Sequence, residues 1–139
     1  METIAGDLAG LLARSIQVTA QDADLWGDLE DKGPLSPRVI LKQQADLLGD
    51  KTKHLVEADV RTESNGRIFF HSFVLLVKGL DNYKHELLTV SHGISLYPVT
   101  TSSGRRLETP QQFKNWLQEN LSASATKRVV TNLMSLAQE

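Results

Sequence analysis

Apolar residues recur along this chain with a helical period, then alternate, then return to a helical period, and that order sets the expected architecture. Ile4, Leu8, Leu11 and Leu12 fall at helical spacing and predict a first helix over residues 2–17, with Glu2 and Asp7 toward its positive end. Ser36-Pro37 has the chemistry of a helix start, because serine accepts from free backbone N–H groups and proline at the first helical position needs no donor. The helix that follows is expected to reach Leu48 and stop at Gly49. Val39, Ile40, Leu41, Ala45, Leu47 and Leu48 make an apolar face too broad for a free helix, so it should pack on a sheet. Arg38, Lys42 and Asp46 repeat every four residues and read as its solvated side.

Four strands are expected between residues 54 and 101, separated by Ser64-Asn65-Gly66, Gly79 to Asn82 and His92-Gly93. In the first, His54 to Glu63, Val56, Ala58 and Val60 alternate with Glu57, Asp59 and Arg61, the pattern of a strand with one solvated face. The second, Arg67 to Lys78, is apolar in both phases and should be central and covered on both faces. Lys84 to Ser91 and Ile94 to Thr101 supply the third and fourth, and Pro98 assigns the fourth to an edge. Short connections favour antiparallel neighbours. After a polar loop over residues 102–108, Thr109-Pro110-Gln111-Gln112 opens a helix with Phe113, Trp116, Leu117 and Leu121 on one face. A last helix, capped by Ser124 and ending at Leu136, buries Val129, Val130 and Leu133. The expected fold is a single α+β domain over residues 1–139, with a four-stranded antiparallel meander covered by N-terminal and C-terminal helices.

Composition narrows the chemistry. A chain of 139 residues with 40% hydrophobic and 23% charged residues is long enough to bury a core and apolar enough to fold. The absence of cysteine excludes disulfides, Cys-type zinc sites and a cysteine nucleophile. Residues 1–17 lack a basic lead and a continuous apolar run, so a secretory signal or membrane span is not expected there, and a cytoplasmic location is the simplest expectation. The net charge of −2 is unevenly placed: residues 1–50 carry nine acids and four bases, residues 101–139 five bases and three acids. Neither part has the concentrated Lys/Arg face of a nucleic-acid binder.

The acids gather in residues 19–35, where Asp22, Asp24, Asp28, Glu30 and Asp31 surround Leu25, Trp26 and Leu29. A solvated loop folded back on the domain would account for this composition. The functional reading is a recognition segment in which Trp26 anchors a basic protein partner and the carboxylates steer the encounter. The first helix is expected to dock on its own domain, with a second copy of the chain as the alternative partner.

Local matches to catalytic patterns fail on context. His85-Glu86-Leu87-Leu88-Thr89 begins like a zinc-protease helix, but Thr89 replaces the second histidine and the segment reads as strand. His92, seven residues beyond His85, should face the other side of a continuous strand. Asp28, Glu30 and Lys32 crowd a loop instead of paired strands, and Ser124-Ala125-Thr126-Lys127 stands without the companion motifs of serine–lysine enzymes. Folding about the Gly79 to Asn82 turn sets His71 opposite Val90 with His92 diagonal, and folding about Asn65 brings it toward Asp59. Asp59, His71 and His92 are therefore the candidate pocket. Arg105 and Arg106, beside Ser102, Ser103 and Gly104, are a candidate anion site. No cofactor or metal site is indicated. The expected function is a non-catalytic protein-interaction module of immunity-protein, antitoxin or adaptor type, using the acidic Trp26 segment and an exposed sheet edge. The alternatives are a small-molecule binding domain or small hydrolase near the histidines, and a structural subunit of a larger assembly.

Overall fold

In the computed structural model, residues 24–29 and 33–138 are described, and the expected helix over residues 2–17 lies outside them. The chain divides into two compact units, Met1–Gly33 and Pro34–Glu139. Within the first, Asp24 accepts from the Trp26 backbone N–H at 3.0 Å, and Leu25, Trp26 and Leu29 are exposed.

The second unit begins with helix α1, Pro37–Lys51, whose cap is Ser36: its Oγ accepts from Val39 N–H at 3.2 Å, and Pro37 occupies the first turn. The helix runs past Gly49 to Lys51, because its C-terminus is closed by Thr52. The Thr52 side chain is buried, donates at the helix end toward the carbonyls of Leu48 and Val56, at 3.0 and 2.8 Å, and accepts from Val56 N–H at 3.2 Å. Lys53 and His54 then take left-handed φ angles of 53° and 65°, so His54 belongs to the turn and the first strand starts later than its pattern suggested.

Five strands follow, in spatial order identical to chain order and antiparallel throughout: β1 (Glu57–Ser64), β2 (Phe69–Val77), β3 (Tyr83–His92), β4 (Val99–Thr101) and β5 (Arg106–Leu107). The expected four-strand meander thus gains a fifth member. Thr101 N–H donates to Arg105 O at 2.9 Å and Thr101 Oγ1 accepts from Arg105 N–H at 3.1 Å, which turns the polar loop back into the sheet. The edge is therefore β5, and β4 is a short strand that begins only after Pro98. Asn65 forms the β1–β2 turn, its Oδ1 accepting from Arg67 and Ile68 N–H at 3.0 and 2.9 Å.

Between β2 and β3 the register slips by one residue. Phe73 pairs with Leu88 but Val74 with Glu86, so Leu87 is the extra residue of a bulge. Helices α2 (Pro110–Leu121) and α3 (Ser124–Ala137) complete the unit. Thr109 caps α2 through Gln112 N–H at 3.1 Å, while Gln112 Oε1 accepts from Glu108 N–H at 2.7 Å. The cap residue of α3 is Ala123 rather than Ser124, and Thr126 Oγ1 donates to Asn120 O at 2.7 Å to join the two helices.

The inner face of the sheet carries Val60, Phe73, Leu75, Val77 and Val90, all buried against Ile40, Leu41, Phe113, Leu117 and Leu133 of the helices. The outer face is polar, with Glu57, Asp59, Arg61 and Glu63 along β1. Val74 is buried there between its cross-strand partners Asp59 and Glu86, but Phe70 is exposed, so β2 is fully covered on its inner face only.

Thr52 offers a direct check. Thr52→Val keeps shape but leaves the fully buried Val56 N–H without its acceptor, and should lower stability by about 1–3 kcal/mol in urea titrations, whereas Thr52→Ser should lose much less.

Candidate functional site

His71 and His92 meet on the inner face, at the end of the sheet near the start of α1. The β2–β3 register places His71 opposite Val90, with His92 opposite Phe69 and so diagonal to His71. Both histidines are buried; their Nε2 atoms are 2.8 Å apart and their ring centroids 4.9 Å apart, so the two rings meet edge to edge through these nitrogens, and the Phe69 ring lies 5.4 Å from that of His92. The bulge at Leu87 is what puts His92 on this face; with regular pairing it would point outward. It also brings His85 and His92 into phase, contrary to the expectation for a continuous strand, though seven residues still hold them about 20 Å apart.

Asp59 is not part of the cluster. It pairs with Val74 on the outer face, where its Oδ1 accepts from Val60 N–H at 2.9 Å. The β1 residue opposite His71 is Thr62, whose Oγ1 lies 2.9 Å from His71 Nδ1. Arg38 of α1 donates through Nε to Thr62 Oγ1 at 3.0 Å, so this residue, expected on a merely solvated face, is tied to the sheet. Nothing in the helical spacing of Arg38 shows which strand lies beside it.

The hydrogen-bond network assigns the protons. The Gly93 carbonyl only accepts, and it lies 2.6 Å from His92 Nδ1, so neutral His92 carries its hydrogen there and presents a lone pair at Nε2. His71 must then donate from Nε2 and accept at Nδ1 from the Thr62 hydroxyl, which itself accepts from Arg38. Every ring nitrogen is satisfied when both rings are neutral. Burial, His92 and the Arg38 guanidinium hold the His71 pKa down, from 6.5 to about 4.

These side chains line a cavity of about 460 Å³ with Ser36, Phe69, Ile94 and Leu96. Its loop wall is pinned by Tyr97, whose hydroxyl donates to Leu35 O at 2.7 Å, and Leu96 sits at a left-handed φ of 74°. Among the described residues no group of three or more His, Asp or Glu is placed to hold a metal ion.

A larger groove, about 790 Å³, runs between α1, α2 and α3 over the sheet. Its apolar floor includes Ile40, Leu48, Phe73, Leu75, Leu87, Leu117, Leu121 and Val130. Lys51, Lys114 and Lys127 line it with three glutamines, and among the described residues no Asp or Glu does. No short motif marks this groove, because its residues come from three helices and two strands.

The remaining candidate residues lie elsewhere. Arg105 faces Glu119 at 3.9 Å and Arg106 faces Glu108 at 3.4 Å, so each arginine has a carboxylate neighbour. In the acidic segment Asp24, Trp26 and Asp28 are exposed, while Asp22, Glu30 and Asp31 lie outside the described residues. No helix among the described residues is long and apolar enough to cross a membrane. Comparison with family models, curated proteins and solved structures finds no match for this chain, and the site is read from its own chemistry.

The His71 shift has a measurable sign. Above pH 6.5 the ring is neutral in folded and unfolded chains alike; as pH falls toward 4, the unfolded chain takes up the proton and the folded one does not. Stability should therefore fall across that window. Urea midpoints at pH 7.5, 6, 5 and 4 should show a shallower decline for His71→Asn than for the wild type.

Proposed function

We propose that this chain is a non-catalytic protein-interaction module whose receiving surface is the groove between α1, α2 and α3. The observation that carries the reading is the combination of an apolar floor with Lys51, Lys114 and Lys127, and no acid among the described residues, around a groove of about 790 Å³. Such a surface suits an amphipathic segment with acidic flanks: apolar side chains displace water from the floor, and carboxylates meet the lysines. The volume lies within the range of small-molecule and peptide sites. The lysines are long and exposed at their tips, so they favour encounter and orientation more than they add affinity.

The acidic stretch around Trp26 supports a second contact in the same reading. Trp26 is 80% exposed, with Leu25 and Leu29 exposed, and its rigid ring, with Asp24 and Asp28 two residues away on either side in the sequence, suits a basic protein surface.

A labelled helical peptide with leucines at positions i, i+3, i+4 and i+7 and glutamates on its flanks should bind in fluorescence anisotropy. Reversal of the three lysines to Glu should weaken it by about tenfold or more at low salt. Equal binding to wild type and triple variant would refute the electrostatic part of the reading. Saturation by dodecanoate, with no binding of the peptide, would replace the protein partner by a lipid-like one.

A further inference from the structure

The histidine cavity stands apart from the groove, and its chemistry points to a different ligand. In the neutral network the donors run in one direction, from Arg38 through Thr62 and His71 to His92 and the Gly93 carbonyl. One added proton fits this chain. It enters at His71 Nδ1, the Thr62 hydroxyl turns away, and the bond from His71 Nε2–H to His92 Nε2 survives. A second proton does not fit, because hydrogens on both Nε2 atoms would break the 2.8 Å contact.

The singly protonated pair is a cation beside a guanidinium. Arg38 from α1 is the charged side chain facing it; β1 presents Thr62, and the loop presents Ile94 and Leu96. Among the described residues no Asp or Glu lines the cavity. An anion there would balance both charges and accept from the displaced Thr62 hydroxyl. The other walls, Phe69, Ile94 and Leu96, are apolar and favour a ligand with a compact hydrocarbon body.

We propose that this cavity binds a small apolar carboxylate, and that each ligand brings one solvent proton onto the His71–His92 pair. Binding and protonation are then linked: the carboxylate favours the charged pair, and the charged pair favours the carboxylate. With one proton per ligand, affinity rises about tenfold for each pH unit lowered.

Benzoate and isobutyrate are suitable probes, titrated calorimetrically between pH 7 and 5 and, at pH 5.5, in two buffers of different ionisation enthalpy. The expected result is saturable binding with uptake of about one proton per ligand. Arg38→Gln, at an exposed position that the fold tolerates, should weaken binding by at least about tenfold. His71→Asn should bind, if at all, without proton uptake. Any of four results overturns the proposal: no saturation by either probe at millimolar concentration, binding without proton uptake by the wild type, benzamide binding as tightly as benzoate, or phosphate doing so. Melting curves of both variants, read alongside, establish that they are folded when titrated.

Discussion

The register between β2 and β3 is the constraint from which the chemistry of this protein follows. One extra residue, Leu87, separates the pairs Val74–Glu86 and Phe73–Leu88, and every β3 side chain beyond it changes face. Val90 and His92 consequently point inward. Val90 joins the core, and His92 reaches His71. Leu87 itself contributes to the groove floor, so the same irregularity shapes both concave surfaces.

Helix α1 connects those surfaces. Its first turn, through Ser36 and Arg38, borders the histidine cavity; its later turns, from Gln43 to Lys51, form one bank of the lysine-lined groove. The helix is held at both ends by short side chains that satisfy exposed backbone groups, Ser36 at the start and Thr52 at the finish. Thr52 also bonds both backbone groups of Val56, which fixes where β1 begins relative to the helix. An error in that junction would move Arg38 away from Thr62, even though the two are 24 residues apart in sequence.

The two surfaces use positive charge differently. Around the groove the lysines are flexible and solvated, so their effect is screened and spread over a wide area. In the cavity a single guanidinium lies near two buried imidazoles that meet edge to edge and whose nitrogens are all engaged. There desolvation, the neighbouring His92 and Arg38 hold the His71 pKa down, and that ring is neutral near pH 7.

Much of this architecture is legible in the amino-acid order. The helix periods, the caps at Ser36 and Thr109 and the turns at Asn65 and Gly79 to Asn82 depend on residues within about four positions of one another. Counting from the Val77–Tyr83 pair beside the second turn would set His71 opposite Thr89, and only the bulge at Leu87 moves it opposite Val90. What could not be read were features decided between elements. Asp59 lies three residues from Thr62, the partner of His71, but alternation along β1 sends it to the other face. A phase change from Leu87 to Leu88 was present in the sequence, yet only pairing with β2 distinguishes a bulge from a strand apolar on both sides. Arg38 has the spacing of a solvated residue and becomes part of the histidine network only because α1 lies along β1. Local order determined the elements, because caps, turns and periodicity are short-range interactions; tertiary structure alone decided the cavity and the groove, because each is the space left between elements whose packing no single segment encodes.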